Sequence, residues 1–212
     1  MARDWQMGDP VDDANGGTME PENWGRRYDE DVSTREIEDD SPDAVRDRCS
    51  NRAWTCFLYR NYEEALYYIS LAINIDQEHA ENWNKRGIIL ERMNRFEEAE
   101  RAFNSALKRL PSPVVADNKA IMLKRWATNS IADSKWAPNR VLFLQDALAK
   151  INRAIDTLEE YGSNEGDIDS YISKKHEIEY SIKGEKEYIE KLNSLEGRER
   201  SDFIQRGRKY EI

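Results

Sequence analysis

The sequence is poor in the residues that form disulfides and metal sites. Its 212 residues include only two cysteines and two histidines. Cys49 and Cys56 lie in one predicted helix, two turns and about 10 Å apart, whereas a disulfide requires Cα atoms within about 7 Å. The histidines, His79 and His176, fall in different segments, so no zinc-binding pattern is present. We therefore predict that both cysteines are small core residues in a reducing compartment.

Long apolar runs are also missing. No stretch approaches the ~18 apolar residues that a transmembrane helix needs. The first residues, "MARDWQMGDP", lack the basic start and the apolar segment of a signal peptide. The composition, with 39% apolar and 35% charged residues, is typical of a soluble, helix-rich protein. We predict a cytoplasmic protein without a membrane partner.

The sequence offers little that supports catalysis. No glycine-rich phosphate loop follows a strand, because no strand is predicted. Carboxylates are plentiful, but they lie on charged helix faces such as "EKEYIEK". His176 lies in "SKKHEIE", where a surface position is expected. We therefore expect a protein that is not an enzyme and that needs no cofactor or metal.

The net charge of −10 is concentrated in the first forty residues. That segment holds thirteen Asp and Glu against four Arg, a net charge of −9, and it has no sustained apolar period. Such a composition predicts a disordered acidic tail over residues 1–40. The tail contains Trp5, Trp24 and Tyr28, so it is either a solubilising extension or a short docking motif around "ENWGRRYDED".

Helix signals begin at "SPDA", where Ser41 is a good N-cap and Pro42 suits the first helical position. Apolar periodicity and the closing prolines Pro111 and Pro113 predict four helices in succession. We place them from Pro42 to about Arg60, Tyr62 to Ile75, His79 to Met93, and Arg95 to Arg109.

The second half of the chain contains longer segments. "VVADNKAIMLKRWA" predicts a fifth helix, "TNSIADSKWAP" an irregular stretch, and residues 139–161 a sixth helix. A long helix is predicted over residues 168–193, after the break at "GSNEGD". The last segment, "DFIQRGRKY", is read as a short helix or a frayed end.

The chain repeats itself at an interval of 34 residues. "NYEEALYYISLAINID" starts at Asn61, and "RFEEAERAFNSALKRL" starts at Arg95. Tyr62 recurs as Phe96, and Ile69 recurs as Phe103. A fixed period of this length is typical of stacked helical hairpins.

The second copy resembles the tetratricopeptide repeat, a helix–turn–helix unit of 34 residues. The residues that carry the resemblance are Trp83, Gly87, Leu90, Ala99, Phe103, Ala106 and Pro111. It departs from the pattern at Arg86 and at Leu90, where the family has leucine and tyrosine. The first copy matches through Cys49, Ala53, Cys56, Ala65, Ile69 and Ala72. A third matches through "AIMLKRW" and through Ala147, Ile151 and Ala154, with about 14 extra residues that we place in the turn between its helices.

The resemblance implies an all-α fold, a helical-hairpin solenoid of about three repeats with a C-terminal capping helix. It divides the chain into the tail (1–40), a repeat domain (41–162) and a capping helix with a basic end (163–212). In this family the leading helices line a concave groove. Groove residues are then predicted by a constant 34-residue register: Trp54, Leu58, Asn84, Ile88, Glu91, Arg92, Met122, Arg125 and Trp126. For the apolar members, a place in the core is the alternative.

These residues suggest a non-enzymatic adaptor or assembly factor that binds a protein or peptide. The ligand is expected to combine apolar anchors with acidic side chains that meet Arg92 and Arg125. Two alternatives stay open: a specific chaperone for an apolar partner segment, and an RNA-associated helical-repeat protein. RNA binding requires a basic surface, and residues 41–212 are nearly neutral. The C-terminal helix could also pair with a copy of itself, and the acidic tail could cover the groove.

Overall fold

The computed structural model describes residues 11–12, 18–19, 41–137, 139–162 and 168–208. The chain falls into two compact regions, Met1–Ser41 and Pro42–Ile212. In the N-terminal region, β1 (Val11–Asp12) and β2 (Thr18–Met19) form a short antiparallel pair that the sequence did not predict. The predictions of a disordered tail and of a motif around Trp24 otherwise lie outside the described residues.

The C-terminal region, Pro42–Ile212, is built from α-helices. Their bounds are α1 Pro42–Leu58, α2 Tyr62–Ile75, α3 Ala80–Arg92, α4 Phe96–Arg109, α5 Pro113–Asp133, α6 Arg140–Tyr161, α7 Ile168–Ser194 and α8 Gly197–Arg208. Three hairpins, α1–α2, α3–α4 and α5–α6, pack side by side, and we call them the first, second and third units. The first helix of each unit is its leading helix and the second is its trailing helix. The trailing helices of the first two units also contact the leading helix of the next unit. Helix α7 packs on α6. The predicted solenoid of three helical repeats with a capping helix is confirmed.

The repeat positions of the trailing helices are occupied as the sequence predicts. The alanine–large–alanine pattern of each trailing helix is buried in all three units, with at most 1% of any side chain exposed. Small residues of the leading helices lie opposite the large ones, and the contact is tightest between Gly87 and Phe103. A Cβ atom added to Gly87 would lie 2.7 Å from the Phe103 ring. The two helices of a unit can therefore approach closely only because these leading positions are small.

The turns inside the first two hairpins are equivalent. Arg60 and Asn94, 34 residues apart, both adopt left-handed backbone conformations, with φ of 62° and 57°. The next backbone N–H in each turn reaches back into the leading helix: Asn61 donates to Cys56 O, and Arg95 to Leu90 O. The same C-terminal cap closes both leading helices.

The third unit corrects the predicted position of the insertion. Most of the extra residues lengthen the two helices instead of forming a long turn. Helix α5 continues through Asp133, a 3-10 turn spans Ser134–Trp136, and α6 begins at Arg140. The added turns have packing partners, because Ser134 is fully buried and Ser130 bonds Asp146 of α6.

The solenoid is closed differently at its two ends. In α3 and α5, Ile89 and Met122 are fully buried and face the trailing helix of the preceding unit. The equivalent residue in α1 is the exposed Thr55. At the other end, Tyr171, Ile178 and Ile182 of α7 are buried in the core cluster that includes α6. The segment read as a short helix or frayed end belongs to the helix α8 as far as Arg208, where the described residues end.

Candidate protein-binding groove

The leading helices form the inner face of the stack. Helices α1, α3 and α5 lie side by side. Helix α3 lies closer to α1 and to α5 than the described parts of α2 and α4, or of α4 and α6, lie to each other. The stack therefore curves toward its leading helices, as expected for a solenoid with a concave binding surface. We call this surface the groove.

The register of the groove changes between the second and third units. Four residues separate α2 from α3, but only three separate α4 from α5. As a result, Ala80 of α3 and Pro113 of α5, which both begin their helices, lie 33 residues apart rather than 34. The buried positions of α3 and α5 are also 33 residues apart. Gly87 and Leu90 are buried in α3, and Ala120 and Leu123 are buried in α5.

Hydrogen bonds between neighbouring leading helices support this register. Lys85 Nζ donates to Ser50 Oγ at 2.9 Å, and Asn118 Nδ2 donates to Asn84 Oδ1 at 3.1 Å. Arg125 Nη1 donates to Glu91 Oε1 at 2.8 Å. The interval is 34 residues between the first and second units and 33 between the second and third. With these intervals, each donor lies one position after the residue that corresponds to its acceptor. A constant 34-residue interval would break this pattern.

Two predicted groove residues are therefore wrong. Met122 has no exposed surface, because it corresponds to Ile89 and packs toward the preceding unit. Trp126 is stacked on Phe96 of α4, with ring centroids 5.8 Å apart. Its other neighbours are Lys150, whose Nζ lies 4.4 Å from the ring centroid, and Arg153. Trp126 thus packs among the trailing helices, away from the groove.

One groove residue was missed for the same reason. Ile121, which is 53% exposed, occupies the place predicted for Met122. Lys124 occupies the place predicted for Arg125, but it contacts the capping helix, with Nζ 4.8 Å from the Tyr171 ring centroid. A sequence signal for the shift exists, because Ser112 and Pro113 repeat the N-cap and first-position pattern of Ser41 and Pro42.

An apolar row runs along the middle of the groove. It consists of Trp54, Ile88 and Ile121, which occupy the same position on three successive leading helices. Trp54 is half-buried and is stacked on Phe57, with centroids 4.8 Å apart. Ile88 is half-buried against the core, and Ile121 is largely exposed. We call these three residues the apolar row.

The C-terminal ends of the leading helices carry the next row, Leu58, Arg92 and Arg125. Leu58 is 66% exposed, Arg92 is exposed and Arg125 is half-exposed. Glu91 lies behind the two arginines and is 8% exposed, so its carboxylate is held by Arg125 instead of facing a ligand. Asn84 is likewise engaged by Asn118.

The opposite edge of the groove holds a polar cleft of about 260 Å³. Lys85 contacts the Glu81 carboxylate at 2.8 Å, and its hydrogen bond lowers the pKa of Glu81. The cleft is lined by Arg46, Asp47, Ser50, Asn51, His79, Glu81 and Lys85. The groove is therefore polar at one edge, apolar in the middle and cationic at the other edge.

Neither a metal site nor a membrane segment was found in the part of the chain that the structure describes. No group of three or more metal-ligating His, Cys, Asp or Glu side chains occurs there. No helix there is both long enough and apolar enough to cross a bilayer.

Comparison with known proteins decides what the hairpin is. The family model described as tetratricopeptide repeat matches residues 80–113, which comprise α3, α4 and the turn up to the start of α5. The chain contains a tetratricopeptide repeat. The matched segment is the second of the three structural units, and the first and third share its buried positions. The tetratricopeptide repeat thus supplies the central leading helix of the groove.

Two solved structures resemble this chain. Both are of the type III secretion chaperone SycD of Yersinia enterocolitica, one of them in complex with a peptide of the translocator YopD. The complex is 13% identical with a TM-score of 0.41, covering 66% of this chain and 93% of that chain. The other is 13% identical with a TM-score of 0.42, covering 74% and 93%. These values are too low to carry a functional argument. No curated protein matches the sequence.

Proposed function

We propose that the protein is a non-enzymatic adaptor or assembly factor that binds a helical segment of a partner protein in the groove. The observation that carries the proposal is the apolar row. Singly exposed apolar residues are common on protein surfaces, but here they recur at one position of three neighbouring helices. An aligned apolar strip inside a concave face is what an amphipathic helix binds.

The spacing of the row matches a helix. Packed helices lie about 8–10 Å apart, so successive members of the apolar row are separated by about that distance. Two turns of an α-helix, seven residues, rise about 10 Å. A ligand of about 15 residues with apolar side chains at positions i, i+7 and i+14 would therefore meet Trp54, Ile88 and Ile121 together.

A helix also suits the hydrogen-bonding state of the groove. An extended peptide leaves its backbone N–H and C=O groups to be satisfied by the receptor. The amide of Asn118 and the ammonium of Lys85 are already bonded across the leading helices. A helical ligand satisfies its own backbone and needs only apolar contact with the groove.

The charged edge defines which side chains the ligand presents. A helix lying on the apolar row would turn one flank toward Arg92 and Arg125. Acidic residues on that flank would form charge-assisted hydrogen bonds with the guanidinium groups. The ligand class is an amphipathic helix with one acidic flank.

The cytoplasm is the location that we propose. Both cysteines are free thiols, as expected in a reducing compartment. Burial raises the pKa of Cys49 and of Cys56, which makes them poor nucleophiles. A specific chaperone would use the same groove to shield an apolar partner helix, so that role is a variant of the same binding mode.

The test is selection of peptides on the full chain. Segments of about 20 residues from host proteins would be displayed, selected and measured by fluorescence anisotropy on nuclease-treated protein. We expect selected peptides to show seven-residue apolar spacing and acidic flanks. Ile121→Glu should weaken their binding about tenfold or more, because a buried anchor contact is replaced by a charge.

The matched control is Tyr67→Glu, which changes an apolar residue of similar exposure on α2, outside the groove. Arg92→Gln should selectively weaken binding of peptides with acidic flanks, and it adds no second carboxylate beside Glu91, which lies 3.7 Å from Arg92. Arg125 is not a suitable target, since its removal would leave the buried Glu91 carboxylate with only its longer ion pair, at 3.7 Å, to Arg92. Equal losses with Ile121→Glu and Tyr67→Glu would contradict the groove. Apolar spacing of three residues would indicate an extended ligand, and binding of RNA without any peptide would favour the RNA alternative.

A further inference from the structure

The groove is bounded by two edges, which we name after the ends of the leading helices that form them. The N-terminal edge carries one residue two helical turns before each member of the apolar row: Asp47, Glu81 and Val114. The C-terminal edge carries one residue about one turn after each member: Leu58, Arg92 and Arg125. Each edge is charged in two units and apolar in the remaining one.

The ion pairs of the N-terminal edge present their carboxylates to a ligand. Asp47 lies 2.8 Å from Arg46, and 58% of the Asp47 side chain is exposed against 13% of the Arg46 side chain. Glu81 is paired with Lys85 in the same way, with 62% of the glutamate side chain and 18% of the lysine side chain exposed. The two pairs are neutral in total, but a ligand on this edge meets mainly carboxylates.

The C-terminal edge has the reverse arrangement. The Glu91 side chain is 11% exposed, whereas the side chains of Arg92 and Arg125 are 53% and 39% exposed. One buried carboxylate thus lies behind two accessible guanidinium groups, and the three side chains together carry an excess of positive charge. The groove is therefore polarised across its width, with carboxylates on one side of the apolar row and guanidinium groups on the other.

The right-handedness of the α-helix fixes the side of the groove on which each unit lies. When the groove is viewed from the front with the C-terminal edge at the top, the residue that follows a member of the apolar row points to the right. Ile89 follows Ile88 and packs into the core cluster of the first unit. Glu91 points to the left and bonds Arg125 of the third unit. The first unit is therefore on the right and the third unit is on the left.

The same handedness fixes the flanks of a bound helix. In a ligand with apolar anchors at i, i+7 and i+14, positions i+3 and i+6 lie on one flank, and positions i+1 and i+4 lie on the other. If the N-terminus of the ligand lies at the first unit, the flank with i+3 and i+6 faces the C-terminal edge. If the ligand runs in the opposite direction, the same flank faces the N-terminal edge.

We propose that the groove binds a helix with acidic residues on one flank and basic residues on the other, and that the order of the flanks sets the direction of binding. Acidic residues at i+3 and i+6, with basic residues at i+1 and i+4, place the ligand N-terminus at the first unit. Exchanging the two flanks reverses the bound helix, because the original direction would oppose like charges at both edges. This inference rests on the proposed function and adds to it a basic flank and a direction.

Two peptides of identical composition test the proposal on the full chain. Both have about 18 residues and apolar anchors at i, i+7 and i+14. The first has acidic residues at i+3, i+6, i+10 and i+13 and lysines at i+1, i+4, i+8 and i+11, and the second has these charges exchanged. Each carries a nitroxide spin label at its N-terminus. We expect the label of the first peptide to broaden the amide resonance of Trp54, in the first unit, and the label of the second to broaden that of Ile121, in the third.

The N-terminal edge is tested separately with the double variant Asp47→Asn, Glu81→Gln. Exposed ion pairs contribute little individually, so removal of two carboxylates should weaken both peptides about threefold to tenfold. A third peptide, in which glutamines replace the lysines of the first, is the matched control. Its affinity should stay within about twofold, since it has no basic flank to lose a partner.

The outcomes separate this inference from the function on which it rests. If none of the peptides binds, the groove is not a helix-binding site, and both proposals fail. If the first two peptides bind with their labels at the same unit, or with each label at both units equally, the direction rule alone is overturned. An equal loss of affinity for the lysine peptides and for the glutamine peptide in the double variant would overturn the role of the N-terminal edge.

Discussion

A single close contact, between Gly87 and Phe103, sets the separation of the helices in the tetratricopeptide repeat. In the first unit, Ala53 and Ile69 occupy the same two places, and in the third unit Ala120 and Ile151 do. A larger leading residue therefore accompanies a smaller trailing one. The total volume at this contact is conserved although the residues differ, as close packing requires.

Gly87→Ala should destabilise the protein. The new methyl group would lie 2.7 Å from the Phe103 ring, and overpacking of this kind costs about 1–3 kcal/mol. This cost exceeds the ~1 kcal/mol that alanine gains in a helix. Adding Phe103→Ile should recover part of the loss by recreating the pair of the first unit. Urea unfolding measures both effects.

The control for this prediction is Gly184→Ala in α7. No described atom lies within 4 Å of a Cβ at this position, so the substitution should stabilise the helix by up to about 1 kcal/mol. If Gly87→Ala were as stabilising as Gly184→Ala, the contact would not limit packing.

Most groove positions of the first two units were accessible from the sequence, whereas in the third unit only Arg125 was. Trp54, Ile88 and Arg92 lie on the leading-helix face where a 34-residue period places them, and their role in binding stays a prediction. Met122 and Trp126 were misplaced because a shift of one residue rotates a helix position by about 100°. One missing residue is enough to turn a groove position into a core position.

Among the structural elements, the turn between α2 and α3 depends on charge. The Glu78 backbone N–H donates to Asp76 Oδ1 at 2.9 Å, and Arg46 of α1 lies 3.1 Å from Oδ2. The backbone hydrogen bond, assisted by Arg46, lowers the pKa of Asp76 from its ordinary value of 3.8. The turn thereby ties α1 to the start of the second unit.

Asp76→Asn should lower the midpoint of thermal unfolding at neutral pH. Because the folded-state pKa of Asp76 is depressed, its contribution is fully present above its unfolded-state pKa and is lost as pH falls through the folded-state pKa. The difference between the parent chain and the variant should therefore disappear on acidification below 3.8. Melting curves recorded from pH 7 downward test this, and a constant difference at all pH values would contradict it.

The boundaries of most helices could be predicted, because apolar periodicity and prolines mark them. The end of α5 could not. Thr128, Asn129 and Ser130 have low helix propensity, which favoured an irregular stretch after Ala127. Contacts of the extended hairpin override that propensity, since Ser130 and Lys150 bond across it. Tertiary contacts of this kind leave no signal in local sequence.

The length of the turn before α5 could not be predicted from a constant 34-residue period either, because this turn is one residue shorter than the turn before α3. Pro111 and Pro113 indicated that a helix had ended, and "SP" at Ser112 also indicated that one begins. The N-cap signal fixes the register of α5, whereas the repeat period does not. Ser112 forms no side-chain capping hydrogen bond, but Pro113 in the first helical position marks the start of α5, which a fixed period misplaces.

At the scale of the whole molecule, stability is distributed between neighbours. Each hairpin buries its apolar face against the adjacent unit, so losses should remain close to the site of a substitution. The capping helix α7 is the only described neighbour on the far side of α6, where Ile178 is almost fully buried.

Ile178→Ala should destabilise the third unit more than the first. Loss of a buried isoleucine side chain costs about 2–5 kcal/mol, and the cost should appear as faster amide hydrogen exchange in α5 and α6. Ile69→Ala is the matched variant in the first unit and should accelerate exchange in α1 and α2. Uniform acceleration in both variants would show that the solenoid unfolds as one cooperative block.

The exposed Thr55 makes the outer face of α1 unsuitable for stacking a further repeat unit. A duplicated unit placed ahead of α1 would have to bury this hydroxyl, with Arg48 beside it, in the interface where later units bury Ile89 or Met122. A copy of residues 80–113 inserted directly after itself would meet surfaces that already fit. Lineages of this chain should therefore gain or lose units from the interior of the stack, with the first leading helix retained as a fixed terminus.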